Sequence, residues 1–434
     1  MRTLFPAVSI VVLALCLTLA GCGELEPPYS SLVKYLLRSD PLVLTEKLGE
    51  GADNSPPQPH LPDRPGQMPL LSVKDMLDPI HPLYRMKDKW MQGDPSPMRD
   101  PKAAKDEDRA AMEDYLMQIF GTPAHPTVEY IDETQREALK LDSRTLERGS
   151  SLYRIHCLHC HGVTGDGRGP TARWVNPHPR DYRQGLFKFQ SVDQTDYQRP
   201  PRRADLHRVI KYGVEGTAMP AFVLLPDSEI DLLVSYVTHL SIRGKVEYEA
   251  FSTAFDLVDG VLEPKAARPL ADFLPTMTKI VVNSWIESQA REIKIAPFPF
   301  DENDKAAMQR SVVRGQELFL GVANAEAKKA NCVNCHTDYG RQAKFRFDKW
   351  GTLVRPNNLT NGIYRGGRRT IDVYYRIHSG INGSEMASFG KQLQRSLIKQ
   401  GNREETIDPI WDLVNFVQTL PYPSMRKQRG INID

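Results

Sequence analysis

Two five-residue stretches, Cys157-Leu158-His159-Cys160-His161 and Cys332-Val333-Asn334-Cys335-His336, share the pattern C-x-x-C-H. On one helical turn the two thiols lie near the same face. They can form thioethers to two vinyl groups of a haem while the next residue presents its imidazole to the iron. This spacing is the signature of covalent c-type haem attachment. A redox dithiol would not need a histidine after both copies. Structural zinc would need four ligands, and neither stretch has a further cysteine nearby. A disulfide between adjacent turns would close almost nothing. The sequence therefore predicts two covalently attached haem c groups, through Cys157 and Cys160 and through Cys332 and Cys335, with His161 and His336 on the irons.

Around these stretches the chain repeats. Arg148-Gly149 precedes Tyr153 and Cys157, as Arg314-Gly315 precedes Phe319 and Cys332. Shifted by 167 residues, Leu206, Ile210, Gly213, Val214, Gly216, Met219 and Phe222 fall on Val373, Ile377, Gly380, Ile381, Gly383, Met386 and Phe389. Shifted by 180, Leu233, Val234, Tyr236, Val237 and Leu240 fall on Leu413, Val414, Phe416, Val417 and Leu420. The last set has helical spacing and ends each unit. Two copies of one helical domain, with loops of different length, explain the changing offset.

An iron with one imidazole needs a second axial ligand or stays open for catalysis. Met219 and Met386 occupy the same place in both copies, among small and loop-forming residues, and are the predicted ligands. An isolated methionine is usually core filler, and it is the repeat that argues otherwise. At the second iron His378, eight residues before Met386, is the rival. His178, His207 and His239 have no counterparts in the second copy and read as surface or packing residues.

At the N-terminus Arg2 is followed by an apolar run from Leu4 to Ala20, then Gly21-Cys22. A positive start, a short apolar core and small residues at its end form a secretory signal. The run resembles a bacterial lipobox, with Cys22 as the lipidated first mature residue. An uncleaved membrane anchor and plain secretion are the alternatives, and all three export the chain. Sixteen prolines fall within residues 22–130, a composition suited to a tether or to chain that wraps a folded body. One helix is predicted inside it, from Ala111, Met112, Tyr115, Leu116 and Ile119, with Gly121 as its stop. A second run, opened by Pro275 and carrying Met277, Ile280, Val281 and Trp285, predicts a connector helix between the copies. The 56 basic and 54 acidic residues, net charge +2, give no basic excess of the kind nucleic acid demands.

With these motifs the chain resembles bacterial di-haem cytochromes c built from two class I domains, over about residues 140–242 and 310–421. The segment Pro356-Asn357-Asn358-Leu359-Thr360 followed by Tyr364-Arg365-Gly366-Gly367 is similar to the lipoprotein type that accompanies heme–copper oxidases or alternative complex III. The resemblance implies an all-α fold of two tandem class I cytochrome c domains behind a Pro-rich, largely irregular arm. The expected organisation is a signal peptide (1–21), the arm (22–130), a first domain (131–245), a linker with the connector helix (246–309) and a second domain (310–424). In each domain the first and last helices would cross, Gly149 and Tyr153 against Tyr236, Gly315 and Phe319 against Phe416. The loop Gly162 to Pro170 is similar to the family's glycine-rich turn, which makes the Pro170 carbonyl the implied partner of the His161 ring. After His336 the pattern differs, and the group that orients His336 is left open. Arg365, Arg368 and Arg369 form a basic cluster, suited either to haem propionates or to solvent.

The implied function is a membrane-tethered carrier of single electrons in a respiratory chain, on the periplasmic side, rather than an enzyme. Its partners would be a quinol-oxidising complex or a terminal oxidase. The alternatives are a di-haem peroxidase, which needs one displaceable sixth ligand, and a haem subunit fixed within a larger complex.

Overall fold

A computed structural model describes residues 29–39, 42–43, 98–175, 177–194, 199–322, 327–344, 346–347, 353–384, 386–400 and 403–432. The signal, Cys22 and the proline-dense run from 44 to 97 lie outside the described residues.

After the strand pair β1 (Leu42–Val43) and β2 (Met98–Arg99) come helices α1 (Asp106–Phe120), α2 (Glu133–Leu139), α3 (Ser143–His156) and α4 (Leu158–His161). Further on lie α5 (Arg203–Tyr212) and α6 (Asp227–Glu249). A π-type turn, Ala250–Ala254, leads from α6 into the hairpin β3 (Phe255–Val258) and β4 (Val261–Pro264). Helices α7 (Leu270–Gln289) and α8 (Lys305–Leu320) follow, then the short pair β5 (Arg346–Phe347) and β6 (Leu353–Val354). Helix α9 (Thr370–Ser379), the hairpin β7 (Ser396–Gln400) and β8 (Arg403–Ile407), α10 (Pro409–Thr419) and α11 (Pro423–Gln428) complete the order. Helices dominate, as the all-α expectation required.

The buried side chains form two clusters. The first gathers Leu146, Tyr153, Leu206, Ile210, Val234 and Tyr236, and the second Phe319, Val373, Ile377, Val414 and Phe416. All of these but Leu146 are repeated apolar positions. Each cluster is pinned by a crossing of its first and last helices, α3 on α6 and α8 on α10. A Cβ at Gly149 would stand 2.4 Å from the Leu232 carbonyl oxygen, and one at Gly315 2.0 Å from that of Asp412. Only glycine permits such an approach. The aromatic pairs beside them meet at 5.2 Å (Tyr153 and Tyr236) and 5.5 Å (Phe319 and Phe416).

The expected boundary at residue 131 does not mark an edge of the packed body. Met112, Leu116, Ile119 and Phe120 of α1 lie in the first cluster, and Gly121 stops that helix with φ 67°. Residues 29–39, a turn at Ser30–Val33 followed by irregular chain, form a strap on the same cluster, with Tyr35 buried. Helix α7 begins at Leu270 and carries Pro275 inside it. It packs Leu274, Val281, Val282 and Trp285 into the first cluster, and Ile280 faces outward, 55% exposed. The linker is thus largely part of the first body.

The two bodies share a seam. Arg208 of α5 donates to Asp372 of α9 at 3.0 Å. The Gly366 N–H donates to the Glu215 carbonyl at 3.1 Å. The Gln194 N–H donates to Ser379 Oγ at 3.3 Å.

Candidate haem sites

Helix α3 ends at Cys157, and the turn α4 carries the rest of the first motif. Cys157 and His161 are buried, and Cys160 is half-buried beside Thr171, Sγ to Oγ1 3.2 Å. In the second motif Cys332 and His336 are half-buried and Cys335 is exposed. All four cysteines are free thiols. Burial, and then the neighbouring thiol, pushes Cys157 and Cys332 each up to about 12. Both therefore stay protonated unless alkylated.

The imidazoles are held alike. His161 Nδ1–H donates to the Arg180 carbonyl at 3.1 Å, and His336 Nδ1–H to the Asn357 carbonyl at 3.2 Å. The group on His161 is therefore Arg180, not Pro170, which is exposed. Gly169, beside Pro170, instead donates its N–H to the Cys160 carbonyl, so this loop braces the motif's backbone, not the ring. The second carbonyl fills the place left open after His336. Arg180 follows Pro179 as Asn357 follows Pro356, so a Pro-x pair at an offset of 177 residues was a legible signal that the other repeats did not use. A carbonyl on Nδ1–H fixes the tautomer and leaves the Nε2 lone pair for iron. Burial lowers both imidazoles, His161 to about 4. They stay neutral and able to ligate. The donor set suits haem c at both motifs: two alkylatable thiols and one oriented, neutral imidazole.

The methionine loops are copies at the level of single hydrogen bonds. Val214 N–H donates to the Met219 carbonyl at 3.2 Å and Ile381 N–H to that of Met386 at 3.1 Å. Thr217 Oγ1 donates to Val214 O, and Ser384 Oγ to Ile381 O, both at 2.7 Å. Phe222 N–H donates to Ile210 O and Phe389 N–H to Ile377 O. Gly213 and Gly380 turn each chain out of its helix with φ 69°, a left-handed conformation that glycine adopts at little cost. Phe222 lies 5.7 Å from His156, next to the first motif. Met386 packs on the second cluster with Cys332, Val333 and Phe389. His378 instead stacks on Tyr374 at 6.2 Å, and its Nδ1 lies 3.2 Å from Ser379 Oγ, at the seam.

Other polar residues are committed elsewhere. His239 is fully buried, its Nε2–H shared between the carbonyls of Phe120 (3.1 Å) and Thr127 (3.0 Å). Arg368 donates to Tyr422 Oη at 3.0 Å, and Arg369 to Asp372 at 2.9 and 2.8 Å. The basic cluster is thus two-thirds taken up by protein partners.

Residues 144–237 match the family described as cytochrome c oxidase, cbb3-type, subunit III. Among solved structures the chain is similar to one from the reducing HAO-like protein complex of Kuenenia stuttgartiensis. The identity is 24% over 63% of this chain and 96% of that one, with a TM-score of 0.43. No curated protein matches the chain. No described helix is long and apolar enough to cross a membrane. Residues 144–237, with the first C-x-x-C-H motif inside them, carry a cytochrome c domain, which implies covalently bound haem c and electron transfer.

Proposed function

We propose that the chain is a membrane-tethered relay of single electrons with two class I cytochrome c domains in tandem. Cys157, Cys160 and His161 would hold one haem c with Met219 as sixth ligand, and Cys332, Cys335 and His336 the other with Met386. Bound haem supplies one-electron chemistry at iron, and thioether sulfur favours the reduced state. The protein's part is to fix each imidazole through a backbone carbonyl, to carry a methionine loop over each site, and to keep the two bodies together along their seam. With Met219 and Met386 as second ligands beside the imidazoles, small ligands would find no open coordination site.

The observation that carries this reading is the hydrogen-bond identity of the Met219 and Met386 loops. A chance methionine would not sit in the same backbone frame twice, each between a glycine turn and an anchored phenylalanine. The choice of Met386 over His378 rests on His378 lying against Tyr374 and Ser379.

Exported, matured protein is expected to contain two haem c per chain by pyridine haemochrome assay and mass spectrometry. Its reduced form is expected to leave carbon monoxide unbound. Fast, tight carbon monoxide binding at one haem would replace the relay with a peroxidase-like site, and one haem per chain would remove the second domain's role. A lipid on Cys22 would place the body on the periplasmic face of a membrane, beside a quinol-oxidising complex or terminal oxidase.

A further inference from the structure

The strap from Tyr29 to Ser39 has two unlike edges. Its inner edge is fastened by polar contacts in the protein interior. Tyr35 Oη lies 3.0 Å from Tyr236 Oη. The Arg38 N–H donates to Glu247 Oε1 at 2.6 Å, and Arg243 Nη2 donates to the Tyr35 carbonyl at 3.1 Å. Leu37 packs on the first cluster. Its outer side carries Leu32, 87% exposed, and Leu36, 70% exposed; Lys34 between them is half-exposed, its ammonium 3.9 Å from the Glu113 carboxylate of α1. Single exposed leucines are common. Two within five residues, Leu32 in the Ser30–Val33 turn and Leu36 beyond it, are a different matter on a segment fastened this firmly, because nothing in the strap's own packing requires them to face water.

The strap also sits close to the proposed lipid. Cys22 is seven residues before Tyr29, and extended chain covers at most about 3.6 Å per residue. The acylated sulfur therefore stays within roughly 25 Å of Tyr29. The tether is those seven residues, not the whole arm to residue 130, because the strap is already bound to the first body. The lipid tethers the body, and a surface contact beside it would fix which face lies on the membrane.

We propose that Leu32, Lys34 and Leu36 rest on the bilayer that holds the Cys22 lipid, docking the first haem body on the membrane surface. The two leucines would enter the headgroup boundary, with the Lys34 ammonium, shared with Glu113, at the level of the lipid phosphates. The proposal rests on lipidation of Cys22. Tyr29 lies beneath the guanidinium of Arg154, 5.7 Å away, three residues before Cys157, so docking would hold the first haem motif near the lipid surface.

The test uses lipidated, haem-loaded protein in vesicles of phosphatidylcholine with a minor share of phosphatidylglycerol, compared with a soluble form lacking residues 1–22. Hydroxyl-radical footprinting with mass spectrometry reads each side chain, with Leu397 of the second body, 61% exposed, as reference. Labelling of Leu32 and Leu36 relative to Leu397 is expected to fall about fivefold or more on vesicles. A double variant, Leu32→Glu and Leu36→Glu, leaves the inner edge intact and is expected to restore labelling across the strap. Unchanged labelling of Leu32 and Leu36 on acylated protein would overturn the docking proposal. Absence of an acyl mass on Cys22 in the same sample would instead overturn the tether.

Discussion

The two helix crossings share one contact and differ in everything that fastens it. In both, a glycine admits the partner helix and an aromatic pair fills the angle. At the first the pair is tyrosine, and each hydroxyl recruits more chain: Tyr153 donates to the Gly162 carbonyl at 2.9 Å, and Tyr236 meets Tyr35 of the strap. At the second the pair is phenylalanine, offers no hydroxyl, and is covered instead by the Tyr339 ring, 5.6 Å from Phe319. Its polar fastening is Asp412, fully buried, which accepts from Ser311 at 2.6 Å and from Arg314 at 2.8 and 3.0 Å. The 180-residue shift puts Leu232 in the first crossing where Asp412 stands in the second. The apolar contact defines the unit, and polar groups decide what else must cover it, because a buried hydroxyl or carboxylate without a partner is costly.

That contrast can be broken most forcefully at Arg314. Arg314→Ala would leave the Asp412 carboxylate buried without its cation, a loss of about 3–5 kcal/mol. Arg148→Ala, at the corresponding but exposed arginine of the first crossing, is expected to cost far less. Urea unfolding followed by circular dichroism would compare them, and equal losses would contradict the asymmetry.

Acid sharpens it next. Burial holds His239 down to about 4 from the usual 6.5, and the second crossing has Thr419 at the corresponding position. Below pH 6.5 the unfolded chain takes up a proton that the folded chain refuses. The contribution is full above pH 6.5 and is lost as pH falls toward 4, about 3 kcal/mol in all. Thermal melts across that range should show the first body weakening before the second, and His239→Gln should flatten the slope. An unaltered slope in the variant would assign the acid sensitivity elsewhere.

The smallest expected effect is at the strap. Tyr236→Phe leaves the Tyr35 hydroxyl buried without its partner and should cost about 1–3 kcal/mol. No measurable loss would mean that the hydroxyl pair does not fasten the strap.

Much of this was legible in the residues because side-chain identity carried it. The C-x-x-C-H stretches, the Gly149 and Gly315 crossings, the two methionine loops and helix α1 all depend on residue type at a fixed spacing. What escaped depended on backbone atoms or on context. Any residue can offer a carbonyl, so Arg180 and Asn357 are marked in the sequence by the proline before each and by nothing in their own side chains. The strap's inward Tyr35 and Leu37 alternate over too few residues to stand out in a proline-rich stretch. The β3–β4 hairpin was readable and passed over: Asp259-Gly260, with φ 48° and 82°, is the two-residue turn that favours hairpins. Helix α7 begins before its expected start because Pro275, a residue suited to the opening of a helix, sits inside its first two turns instead.

The central claim is that each iron lies between an imidazole and a methionine sulfur. Magnetic circular dichroism of the oxidised, fully loaded protein measures this for both irons at once. The account predicts two low-spin centres per chain, each with the signature of histidine–methionine ligation. A high-spin centre, or one ligated by two histidines, would contradict it.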